Sequence, residues 1–132
     1  MTTLDLSEQG LQHALKNYEE LFSQGDVEAI LRGFADDVSV RYASYEPFVG
    51  KDRLRKMLHA RFSTMRDYRL VKRLEFVKPP RFASSWTGSW IDAAGGAKME
   101  LFGLEVLTVR DGLFSEWSAS VSVWRSGQAT AV

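Results

Sequence analysis

Residues Tyr18 to Tyr42 read YEELFSQGDVEAILRGFADDVSVRY, and this stretch decides the fold. A tyrosine on the apolar stripe of a helix comes first. Gly25-Asp26 then ends that helix and starts a second, because glycine suits a helix carboxyl end and aspartate caps an amino end. Phe34-Ala35-Asp36-Asp37 leads into Val38-Ser39-Val40-Arg41-Tyr42, whose alternation and β-branching predict a short strand. Helix, tight break, helix and strand in that order predict a cone-shaped α+β domain, with a pocket between the helices and a curved sheet.

Upstream, residues 7–23 read as the first helix, capped by Ser7. Leu11, Ala14, Leu15, Tyr18, Leu21 and Phe22 recur at helical spacing and form its buried stripe. Val27, Ile30, Leu31 and Phe34 form the stripe of the second helix. Downstream, Ser44 to Gly50 reads as a loop around Pro47, and Lys51 to Arg66 as a third helix with Leu54, Met57, Leu58, Phe62 and Met65 inward. From Tyr68 onward the pattern is β, with strands expected near residues 69–78, 82–92, 97–109 and 113–124. Pro79-Pro80 and Ala93 to Gly96 supply two turns. Asp111-Gly112 is a stronger hairpin signal, since both positions of a type I′ turn need positive φ. Gly88 and Gly103 are candidate bend positions in the sheet. Neither an internal repeat nor a linker interrupts residues 1–132, so one domain is expected.

The bulk numbers agree with a packed domain. Hydrophobic residues make up 45% of the 132, and four Trp with eight Phe can fill a large interior. Lys plus Arg equals Asp plus Glu at 17 each, which gives no net field to attract nucleic acid. Without cysteine there is no disulfide, thiolate nucleophile or thiolate-bound zinc. No apolar run approaches the ~20 residues of a membrane span, and MTTLDLSEQG does not read as a secretory signal. The expected location is the cytoplasm, with neither membrane nor nucleic acid as a partner.

The chain resembles the superfamily of nuclear transport factor two, the SnoaL-like polyketide cyclases and Δ5-3-ketosteroid isomerase. Four matches carry the resemblance: Y-x6-GD at Tyr18 to Asp26, FADDVSV at Phe34 to Val40, EPFVGKDRLRKML at Glu46 to Leu58, and GLEVLTVRDGLFSEW at Gly103 to Trp117. The resemblance implies three amino-terminal helices on a curved, mainly antiparallel sheet. In the isomerase a first-helix tyrosine donates to the developing oxyanion, and Tyr18 has its spacing to Gly25. The position of the isomerase's general-base aspartate is Tyr42 here, and a phenol with a reference pKa near ~10 is a poor base at neutral pH. The cyclases' acid–base pair in the last strand falls at Trp117 and Ala119, which cannot serve as one. The fold hosts enzymes and binding modules alike, so the resemblance fixes architecture more firmly than chemistry.

The residues themselves offer further candidates. A two-residue turn at Asp111-Gly112 pairs Val106 with Trp117, Phe102 with Val121 and Glu100 with Val123. This register places Glu100 on an apolar strand face, where a carboxylate can act as acid or base. Glu105 then falls on the other face, and a one-residue slip or bulge would exchange the two. Tyr18 and Glu100 are the candidate catalytic pair. Tyr42, Trp86, Phe102, Trp117 and His59 are candidate ligand-binding residues. His13 and His59 lie on different helices without metal-ligand spacing, so neither metal nor cofactor is expected. The expected activity is binding of a small apolar or aromatic molecule in the cone, with proton transfer of isomerase or cyclase type. Two alternatives are a non-catalytic dimeric binding or assembly module and the small subunit of an aromatic-ring dioxygenase. Ser118, Ser120, Ser122, Glu116 and Trp124 share the outer sheet face, where a homodimer contact is expected.

Overall fold

The computed structural model describes residues 4–132; the first three positions of the segment read above for a secretory signal lie outside it. Helix α1 spans Glu8–Gln24, with the Ser7 side chain accepting from the Gly10 N–H at 3.0 Å. Gly25 closes α1 at φ 63°, the left-handed conformation that glycine adopts without strain. Asp26 caps α2 (Val27–Leu31) by accepting from the Ala29 N–H at 3.1 Å. Strand β1 spans Phe34–Tyr42, so Phe34 opens the strand instead of closing the helical stripe. The loop expected around Pro47 contains a short strand, β2 (Phe48–Val49), paired with Ser39 and Val40.

Helix α3 spans Lys51–Ser63 and ends earlier than its apolar pattern suggests, because Met65 already belongs to β3 (Met65–Lys78). Strands β4 (Arg81–Asp92), β5 (Lys98–Arg110) and β6 (Leu113–Arg125) complete a meander. The six strands form one sheet in the order β2-β1-β6-β5-β4-β3. Among the described residues only β1 and β6 run parallel; the other neighbours are antiparallel. The helices lie against the concave face. Leu11, Ile30, Leu31, Leu54 and Leu58 from the helices meet Val38, Val40 and Leu101 from the sheet, all completely buried.

One irregularity in this sheet determines which carboxylate faces the core. Asp111 and Gly112 turn at φ 54° and 77°, and Arg110 pairs with Leu113 as the turn chemistry requires. The register then shifts between Thr108 and Val109, because Ser115 is an extra residue on β6. Beyond this bulge Trp117 pairs with Leu107, Ala119 with Glu105 and Val123 with Leu101. From Thr108 back to Met99 the β5 side chains are therefore on the opposite face, relative to β6, from the bulge-free register. Glu105 points inward and is buried, whereas Glu100 lies on the convex face and accepts from Trp124 Nε1 at 2.9 Å.

Candidate functional site

Leu74, Ser84, Glu105, Ala119 and Tyr42 form one row across the concave face, one residue from each of five strands. The adjacent row runs Lys72, Trp86, Gly103 and Val121. Gly103 has no side chain, and a Cβ there would overlap the Trp86 indole. The indole consequently lies flat over β5, and Lys72 extends across its face with Nζ 4.6 Å from the ring centre.

That path brings Lys72 Nζ to 2.6 Å from Glu105 Oε2. The Ser84 hydroxyl donates to the same oxygen, and Trp117 Nε1 donates to Oε1 at 2.9 Å. Both partners of the ion pair are removed from water, the Lys72 side chain being 7% exposed and that of Glu105 3%. Three donors on one buried carboxylate satisfy it as an acceptor, which is what permits a charge at this depth. Among the described residues no buried side-chain polar atom lacks a hydrogen-bond partner.

A cavity of about 30 Å³ adjoins this network, walled by Tyr18, Phe34, Phe114 and Trp117 together with Lys72 and Glu105. Its size suits a single water molecule. Tyr18 comes from α1, and its ring leans on Phe114 with centroids 5.6 Å apart. The Tyr18 hydroxyl donates to the Ile30 carbonyl at 3.2 Å, and burial raises its pKa well above the ordinary value of 10. A Cβ at Gly33 would collide with that hydroxyl, so the glycine makes room for it.

Of the residues singled out from the sequence, Tyr18 and Trp117 line the cavity. Tyr42 is buried behind Trp117, with ring centroids 4.9 Å apart, and the Arg61 guanidinium sits 4.7 Å over its ring. Burial likewise raises the Tyr42 pKa. Trp86 is buried beneath Lys72 and lines no part of the cavity. Three residues lie elsewhere. Glu100 and Phe102 are carried to the convex face by the Ser115 bulge, where Phe102 is exposed. His59 is on the outward side of α3, near Glu28, whose pKa is lowered first by the Arg55 hydrogen bond and also by His59.

Lys72 and Ser84 escape the sequence reading. The signal for Lys72 was present, since it interrupts the apolar alternation Tyr68, Leu70, Lys72, Leu74 of β3 at an inward position. Among the described residues no three His, Cys, Asp or Glu side chains converge as metal ligands, and no helix is long and apolar enough to cross a membrane.

The family model described as the SnoaL-like domain matches residues 15–117. The chain belongs to the SnoaL-like family. No curated protein is detectably similar to this SnoaL-like protein in sequence. Several solved structures share its fold. One is SalBIII, an epoxide hydrolase/cyclase-like enzyme described for pyran ring formation in the polyether salinomycin. It is 14% identical, with a TM-score of 0.75, covering 91% of this chain and 100% of its own. A scytalone dehydratase-like protein of Novosphingobium aromaticivorans is 16% identical, with a TM-score of 0.72 and coverage of 92% and 88%. A polyketide cyclase-like protein of Xanthomonas campestris is 20% identical, with a TM-score of 0.68 and coverage of 83% and 87%. At these identities the likeness establishes the α+β architecture of the SnoaL-like protein, helices against a curved six-stranded sheet, and leaves its chemistry to its own residues.

Proposed function

We propose that this SnoaL-like protein binds a small apolar or aromatic molecule inside the cone and moves a proton on it. Glu105 would be the acid–base group, Lys72 its charge partner and Tyr18 the hydrogen-bond donor. One observation carries the reading: a carboxylate is buried on the concave face and opens onto a cavity whose other walls are aromatic and aliphatic apart from Lys72. Dehydratase-, cyclase- and epoxide hydrolase-like neighbours on the same fold support it as analogy. Glu105 takes the role that the sequence reading gave to Glu100, for the geometric reason supplied by the Ser115 bulge. A ligand larger than water requires the aromatic walls to move apart.

The test is deuterium exchange at the α-carbons of a panel of cyclic ketones and enones in heavy water, followed by NMR. Exchange faster than buffer, reduced roughly 100-fold or more in Glu105→Gln, is the expected result for a positioned general acid or base. No acceleration by the native protein with any ketone, and no thermal stabilisation by any of them, would remove the reading.

A second reading, a homodimer through the convex face, has its own observation. Phe76 is 66% exposed and Leu104 51%, and both line a groove of about 450 Å³ rimmed by Arg41 and Glu75. Exposed apolar side chains grouped in this way mark contact surfaces more often than scattered ones do. The two readings are compatible, since they use opposite faces of the sheet.

A further inference from the structure

A second concavity lies against the first. It is a surface groove of about 570 Å³ between the segment before α1, α1 itself, the turn after α2 and the β5–β6 hairpin. Its floor includes Tyr18 and Phe114, the two rings that also wall the Glu105 cavity. The partition between surface groove and buried carboxylate is therefore this pair of rings, inclined at 57° to each other. The groove's volume falls within the ~300–1,000 Å³ of small-molecule sites, which the inner cavity does not approach.

The groove has two chemical zones. Ala14, Leu113 and the two rings are apolar, whereas His13, Asn17 and Arg32 are polar. Among the described residues Arg32 is the one guanidinium in the wall, and it makes no ion pair or side-chain hydrogen bond. Its charge reaches Glu28, which is itself held by Arg55. Among the described residues the one carboxylate in the wall is Asp5, which accepts from the Ser7 N–H at 2.9 Å.

From this arrangement we infer that the groove is the entrance subsite for the ligand of the Glu105 cavity, that Tyr18 and Phe114 are its gate, and that the ligand is an aromatic anion. The ring rests on Tyr18 and Phe114, and the anionic group pairs with Arg32, whose planar fork suits a carboxylate or sulfonate. The inference rests on the reading of that cavity as a ligand site and adds to it the class of molecule and the route.

The probe is 1-anilinonaphthalene-8-sulfonate, an aromatic anion, titrated by fluorescence against the folded protein beside its uncharged relative N-phenyl-1-naphthylamine. Arg32→Gln should weaken the sulfonate about tenfold, or about 1.4 kcal/mol, and leave the neutral probe unaffected. Phe114→Leu, which thins the partition, should tighten the neutral probe. Arg53→Gln, which removes an exposed guanidinium of α3 away from the groove, should change neither. Equal effects of Arg32→Gln on both probes, no binding by the native protein, or an equal loss of sulfonate binding in Arg53→Gln would overturn the subsite; an unchanged neutral probe in Phe114→Leu would overturn the gate. Glu105→Gln separates the two proposals. Arg32-dependent binding that survives Glu105→Gln, in a protein without exchange activity, rejects the chemistry alone. Exchange activity without Arg32-dependent binding rejects the groove alone.

Discussion

Lys72 on β3 reaches across the whole width of β4 to meet Glu105 on β5, at 2.6 Å. Neither charge has water to fall back on, so each depends on the other. Lys72→Met leaves the carboxylate buried with only Ser84 and Trp117 as donors. Removing one partner of a buried pair costs about 3–5 kcal/mol, whereas replacing both by apolar groups is often near neutral. The double variant Lys72→Met with Glu105→Leu should therefore be more stable than Lys72→Met alone. Urea denaturation of the native protein, both single variants and the double variant measures this. Additive losses would mean that the pair is not coupled.

Gly103 tests the platform under that pair. A methyl at this position would occupy space held by the Trp86 indole, over which Lys72 lies. Gly103→Ala should destabilise the fold by about 1–3 kcal/mol through overpacking. Trp86→Leu in the same chain should recover part of the loss by vacating the space. A Gly103→Ala protein as stable as the native one would show that the indole can shift freely.

Most of the architecture was legible because the relevant signals are local. Ser7, Gly25 and Asp26 cap or end helices by chemistry that acts within four residues, and Asp111-Gly112 specifies its own turn. The site was only half legible, because register is not local. Ser115 adds one residue to β6, and nothing in its neighbours announces a bulge; yet that single residue moves Glu105 inward and Glu100 outward. Trp86 was ambiguous for the same reason, since the face it occupies depends on the register set by the loose Ala93 to Gly96 turn. Lys72 is different. A lysine at an inward position of an alternating strand was visible, but its partner is two strands away and could not be named without the sheet order.

Burial of three phenols gives the stability a definite alkaline dependence. Desolvation raises the pKa of Tyr18, Tyr42 and Tyr68 above the ordinary value of 10. The unfolded chain then releases these protons at lower pH than the folded one. Between the unfolded and folded values the folded state holds more protons, so the stability of the fold decreases as pH rises above about 10. Each such tyrosine can contribute up to about 1.4 kcal/mol per pH unit in that window. Urea midpoints measured from pH 8 to 11 should decline only in the upper part of the range. Tyr18→Phe and Tyr42→Phe should each make the decline shallower. A slope unchanged in both variants would mean that these phenols meet solvent in the folded state.

The convex face provides the test of assembly. Val71 and Phe102 face each other across Thr87, and Leu104 and Phe76 continue the apolar surface, with exposures from 43% to 66%. In the proposed homodimer two copies of this face meet about a two-fold axis. Such an isologous contact is self-complementary, so one substitution acts twice. Leu104→Glu places two carboxylates in the contact and should shift the protein to monomer in sedimentation equilibrium. Because Leu104 is half exposed in the isolated chain, the fold itself should lose little, within about 0.5 kcal/mol as for other surface changes. A native protein that sediments as a monomer at all concentrations would remove the dimer and leave the convex face as solvent-facing sheet.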